Sequence, residues 1–136
     1  MSGNERGSAA LEMVLITPVL IVLLLFAVAA GRLSVARNLV TEAARDAARE
    51  ASTWRTQSEA TAHGTQRGLD SLTASHVTCR SPLVAIDTSR LRPGGEAIAD
   101  VACTVQLGDL VGLRMGGSRR LHARAVSVID TFQSNG

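Results

Sequence analysis

Hydrophobic and polar positions divide the chain into three regimes. From Met13 to Ala30 (MVLITPVLIVLLLFAVAA) there is no charged residue, and a helix drawn through the run has no polar face. At a rise of about 1.5 Å per residue it reaches about 27 Å, close to the hydrocarbon thickness of a bilayer, and Gly31 or a little of the polar flank completes the span. From Arg32 to about Ala62 the pattern stays helical but becomes amphipathic. Leu33, Ala36, Val40, Ala43, Ala47 and Trp54 recur at helical spacings and share a narrow stripe. Glu42 with Arg45, and Asp46 with Arg49, are spaced for i, i+3 ion pairs on the remaining surface. Gly64 and Gly68, in a Ser/Thr-rich stretch, predict that this helix ends between Ala62 and Leu72.

The last regime alternates. His76 to Arg80 and Leu83 to Asp87 are short strand candidates separated by Ser81-Pro82, and Pro93-Gly94-Gly95 marks a turn. From Glu96 to Leu107 the alternation is regular, with Ala97, Ala99, Val101, Cys103, Val105 and Leu107 on one face; Ile98 and Ala102 break the polar side. Gly108 to Gly117 reads as a loop and Arg119 to Phe132 as a final strand. The expected fold is α+β: a long N-terminal helix, half transmembrane and half extramembrane, followed by a small antiparallel β-sheet packed on it. The expected divisions are residues 1–7, 8–31 for the transmembrane helix, 32–72 for the amphipathic helix and 73–136 for a small β domain.

Composition narrows the choice of function. The chain has 136 residues, room for one modest domain beside the membrane helix, and its aromatic content of 2% forces a core of Ala, Val, Leu and Ile. A net charge of +2, without a basic patch interleaved with aromatics, excludes nucleic acid as the expected partner. His63, His76 and His122 lack metal-ligand spacing with one another or with Cys79 and Cys103, so no metal is expected. There is no nucleophile elbow, P-loop or dinucleotide fingerprint, so neither an enzyme nor a cofactor is expected.

The chemistry worth following lies ahead of the apolar run. Met1 to Gly7 (MSGNERG) is polar and short, like a leader, and Glu12 is the fifth residue counting from Ser8. An acid at the edge of hydrocarbon is costly, which points to a role for Glu12; placement at headgroup level is the alternative. A glycine, four residues, a glutamate and a long apolar helix form the class III prepilin leader pattern. The segment Arg6-Gly7-Ser8-Ala9-Ala10-Leu11-Glu12-Met13, with Thr17-Pro18 beyond it, resembles the TadE-like pseudopilins of tight-adherence (Flp-type) pilus systems.

That resemblance implies cleavage between Gly7 and Ser8 by a membrane prepilin peptidase acting on the cytoplasmic side. The leader is then inside and the C-terminal domain exported. It implies partners among membrane lipid, the peptidase and other pilin-like or Tad assembly subunits, including a related pseudopilin, and a structural role as a minor pseudopilin. Relatives more often carry an aromatic residue where this chain has Met13. Cleavage would leave a cationic amine on Ser8, one helical turn from Glu12, and pairing of the two within or between chains would set the register of packed helices.

Two signals compete with this reading. Ala27-Val28-Ala29 fits a secretory signal-peptide cleavage site, which would release a binding module beginning at Ala30. Arg32, Arg37, Arg45 and Arg49 follow the span while only Arg6 precedes it, an asymmetry that by itself predicts the C-terminal part inside. Pro18 removes a backbone donor, and the Thr17 hydroxyl can satisfy the freed carbonyl. Cys79 and Cys103 fall on different predicted strands, so an exported domain favours a disulfide between them, with two buried thiols as the alternative. Trp54, the bulky anchor on the helix stripe, is read as local core first and partner contact second.

Overall fold

The computed structural model describes residues 5–76, 78–108, 112 and 116–132. The fold is α+β. Helix α1 (Glu5–Thr53, 49 residues) is followed by α2 (Gln57–Thr73) and by strands β1 (Arg80–Asp87), β2 (Glu96–Gln106) and β3 (Ser118–Val128). The strands form one antiparallel sheet in the order β1-β2-β3. Both helices cover the same face of it, α1 over β2 and β3 and α2 over β1.

The apolar run and the amphipathic run form one helix, α1, about 73 Å long. Helix formation already includes Glu5–Gly7, within the stretch read as a leader. α1 continues through Pro18, where the Thr17 hydroxyl donates to Met13 O at 2.7 Å. This differs from the expected role of Thr17. The carbonyl that Pro18 leaves without its i−4 donor belongs to Val14, so Thr17 only back-bonds one turn.

The helix expected to run on to Ala62 instead divides at Trp54. Ser52 and Thr53 turn their hydroxyls back onto Arg49 O and Glu50 O, and Thr56 opens a new helix. The Thr56 hydroxyl accepts from Glu59 N at 3.3 Å and donates to Glu59 Oε2 at 2.7 Å. This Thr-x-x-Glu pairing resembles a capping box, with a residue of extended φ and ψ as its cap. α2 doubles back and buries Ala60, Gly64, Gly68 and Leu72, one residue per turn.

Gly64 and Gly68, expected to break the helix, let it approach closely. A Cβ on Gly64 would lie 3.0 Å from Ala51 Cβ and 3.1 Å from Ala47 O; one on Gly68 would lie 3.0 Å from Val84 Cγ1. The expected pairs Glu42–Arg45 and Asp46–Arg49 do not form among the described residues. Asp46 faces α2 instead, accepting from the Ser71 hydroxyl at 2.8 Å, with Arg67 at 3.7 Å.

The buried stripe of α1 is wider than the periodicity suggested. Ala44, Ala48 and Ala51 are buried together with Ala36, Val40, Ala43 and Ala47, because the helix is covered by the sheet on one side and by α2 on the other. The core forms a ladder of layers. Ala51 meets Ala60 and Ala97; Ala47 and Ala48 meet Ala99; Ala36, Val40, Ala43 and Ala44 meet Val101, Cys103, Val105 and Leu121. β2 therefore runs antiparallel to α1, and its C-terminal end lies nearest the apolar run.

β2 buries Ala97, Ala99, Val101, Cys103 and Val105, following the expected alternation, and Ala102 as well. β2 and β3 pair without interruption from Glu96↔Val128 to Gln106↔Ser118. β1 merges most of the two expected short strands: it crosses Ser81-Pro82 with a register shift, Ser81 at φ 51°. Pro82 costs little there, since β1 is an edge strand with a free side. Of the first candidate, His76, Thr78 and Cys79 lie outside the strand and Val77 lies outside the described residues. The expected loop from Gly108 to Gly117 also lies mostly outside them; at its base Leu107 N donates to Gly117 O at 3.0 Å. The last strand is shorter than expected, stopping at Val128. The turn at Pro93-Gly94-Gly95 requires its glycines, with Gly94 at φ +74° and no room for a Cβ on Gly95, 2.0 Å from Arg90 O.

Candidate processing and assembly site

Gly7, Ser8 and Glu12 occupy the first turns of α1 and are exposed. Glu12 lies between Leu11 and Met13, which are 67% and 73% exposed, and its spacing from Ser8 puts both on one helical face. The apolar surface continues upward through Leu15, Val19, Leu23 and Phe26, and none of the other described residues covers it. α1 is thus a candidate membrane span near the N-terminus, as its length and apolar composition also indicate. Soluble domains rarely expose so large a contiguous apolar patch, and hydrocarbon is the solvent that suits it. Ala27 to Ala29 lie within this unbroken helix.

Trp54 sits at the corner between the helices. Its indole stacks on the His63 ring at 3.9 Å between centroids, and Nε1 donates to Glu50 Oε1 at 3.1 Å. Half-buried against Ala51, Ala60 and Ala97, it fastens α2 to the end of α1. His63 is itself exposed, and sequence spacing does not reveal the stack, which depends on the helix break that brings the two rings together.

Cys79 and Cys103 are joined by a disulfide with a Cα–Cα distance of 5.5 Å. Cys103 is part of the buried face of β2, and Cys79 lies just before β1, so the bond ties the start of the edge strand to the central one. Among the described residues, no group of three or more His, Cys, Asp or Glu side chains is arranged to hold a metal ion.

On the face of the sheet away from the helices, Asp100 accepts from Arg124 Nε and Nη2, both at 2.9 Å, with His122 Nε2 at 3.3 Å. The hydrogen bonds from Arg124 hold the Asp100 carboxyl below its ordinary 3.8, and Asp100 in turn raises the Arg124 guanidinium. Asp87 is lowered as well, chiefly by the backbone N–H of Ser89, which donates to Asp87 Oδ1 at 2.9 Å. These groups are a solvent-facing fastening of β2 to β3 and the start of a turn. They are not organised around a cleft.

No curated protein and no solved structure matches the chain. The model of the TadE-like protein family matches residues 7–49, beginning at the glycine of the leader pattern and ending four residues before α1 does. The matched stretch, 43 of the 136 residues, thus holds Glu12, the exposed apolar surface and most of the helix on which the sheet packs, and over that stretch the chain is similar to the TadE-like protein family.

Proposed function

We propose that the protein is a minor pseudopilin, a non-enzymatic assembly component of a tight-adherence pilus machine. Residues 1–7 act as a leader removed between Gly7 and Ser8 by a prepilin peptidase. Residues 8–31 span the membrane, and the part from residue 32 onward is exported, with the new N-terminus on the cytoplasmic side. The observation that carries the reading is the continuity of α1. One helix bears the leader pattern, an uncovered apolar surface and the seat of the folded domain, so that movement of the span through the bilayer also moves the domain. The disulfide supports export, since such bonds persist in oxidising compartments.

Glu12 acts as the register mark: its carboxylate pairs with the Ser8 amine of its own or a staggered neighbouring chain, including a related pseudopilin, where low dielectric strengthens the attraction. Trp54 is a candidate contact for such a neighbour through whichever part of its ring is not covered by His63. Determining the N-terminal residue of the purified mature protein tests the core of the reading. Ser8 is expected; Ala30 would establish a secreted binding module instead. Protease access to the domain in intact cells tests its side. Glu12→Ala is expected to impair cleavage or assembly, and normal behaviour in both would remove the role given to the carboxylate.

A further inference from the structure

The end of the domain nearest the apolar run carries arginines on α1, β1 and β3. Arg32 and Arg37 stand on α1, Arg80 opens β1, and Arg119 and Arg120 lie at the start of β3; all five are exposed. Register places the sheet residues together: Arg80 and Arg120 flank Thr104 from either side, and Arg119 pairs with Val105. Because Leu121 is buried, alternation puts Arg119 on the helix-covered side of the sheet and Arg120 on the other. None of the five makes an ion pair or side-chain hydrogen bond among the described residues. The nearest described acids come farther from the span. Glu42 lies beyond Val40 on α1, Asp70 lines the same groove as Glu42 and Asp46, and Asp100 is four positions along β2 from Thr104.

The level of this ring follows from the core. Val105 and Leu121 belong to the same core cluster as Ala36, with Leu33 packed against it, and the antiparallel run of β2 along α1 puts them at its end toward the apolar run. Ala36 is six residues beyond Ala30, or about 9 Å along the helix axis. The headgroup layer on each side of a bilayer is about 5–8 Å deep. Guanidiniums on long, flexible stems at that height reach it from both faces of the sheet.

We propose that Arg32, Arg37, Arg80, Arg119 and Arg120 form a collar that binds the headgroups of anionic phospholipid in the bilayer crossed by α1, seating the domain upright on the membrane. The anionic lipid supplies the negative charge that the described part of this end of the protein lacks. The proposal rests on α1 spanning the bilayer, but not on leader cleavage or on which side the domain occupies.

The test uses the full chain in nanodiscs of phosphatidylcholine alone, or with phosphatidylglycerol added. Arginine side chains are labelled with phenylglyoxal, and the extent is read residue by residue by mass spectrometry. Phosphatidylglycerol is expected to slow labelling of the five arginines by about fivefold, the effect of surface attraction on one arginine. Molar salt should abolish the protection, whereas Arg92, exposed in the far turn, should label equally in both discs. Free orthophosphate with phosphatidylcholine discs is expected to protect none of them. Equal labelling of the five in both lipids, or equal protection of Arg92, would overturn the collar. Failure of the chain to enter discs at all would overturn the span together with it, whereas normal entry without lipid dependence would leave the pilus reading standing.

Discussion

Gly64 offers a direct measure of how the two helices are held together. In an exposed helix interior, replacing glycine by alanine stabilises by about 0.8–1 kcal/mol through backbone propensity. At Gly64 the added methyl would lie 3.0 Å from Ala51 Cβ, 3.1 Å from Ala47 O and 3.3 Å from Ile86 Cδ1. Two of those three atoms belong to α1 and have no rotamer into which to retreat, so α2 itself must move. Overpacking of this kind costs about 1–3 kcal/mol, which exceeds the propensity gain. Gly64→Ala is therefore expected to destabilise by about 1 kcal/mol net, lowering the melting temperature of a domain this size by about 4–8 °C.

The internal scale is Ala62→Gly, an exposed position on the same helix, which should cost about 1 kcal/mol from propensity alone. At Gly68 the nearest atoms are the Val84 methyls on an edge strand, which can shift, so Gly68→Ala should cost less than Gly64→Ala. The assay is thermal unfolding of the full-length protein in detergent, followed by circular dichroism. If Gly64→Ala raised the midpoint by as much as Ala62→Gly lowers it, propensity would govern α2 and the close-packing argument would fail.

Three further predictions follow from local geometry. Replacing Cys79 and Cys103 together by serine, a sequence separation of 24, should cost about 3–4 kcal/mol, read as a lower unfolding midpoint that reductant no longer shifts. Thr56→Ala removes the α2 cap and should cost about 1 kcal/mol, whereas Thr61→Ala at an exposed interior position should not destabilise. Asp100 has a lowered folded-state pKa, so its pairing contributes fully above the ordinary value of 3.8 and is lost as pH falls through the lowered one. The pair is surface-exposed and so worth at most about 1 kcal/mol; Asp100→Asn should lower the midpoint slightly at pH 7, and the difference from wild type should vanish in strong acid. Persistence of that difference in acid would mean the carboxylate charge is not what Arg124 and His122 recognise.

The strands and the apolar run were legible because each rests on a pattern that does not depend on partners. The alternation through Ala97, Ala99, Val101, Cys103 and Val105 identified the face of β2 that meets α1. The helix break was written in Thr56-Gln57-Ser58-Glu59, a capping signature hidden by the alanine-rich periodicity on either side of it. Gly64 and Gly68 were misleading because glycine serves equally for ending a helix and for letting two helices touch; only the seat on Ala47, Ala51 and Val84 distinguishes these. Ala44, Ala48 and Ala51 escaped the one-sided stripe because nothing in a linear pattern announces that a second helix will cover them. At the candidate processing site, Gly7, Ser8 and Glu12 were found from spacing and resemblance, and the fold adds that they stand on the same rigid element as the domain.

The ladder of alanines along α1 has a consequence for how this protein can vary. Where two surfaces meet through single methyl groups, side chains have no depth in which a larger residue on one side can be matched by a smaller one opposite. Change along that seam is confined to shrinkage, whereas the outer face of the sheet, bounded by solvent, remains free to alter its size and charge. Lineages of this fold should therefore diverge on the open side of the sheet while the helix beneath it keeps its narrow profile.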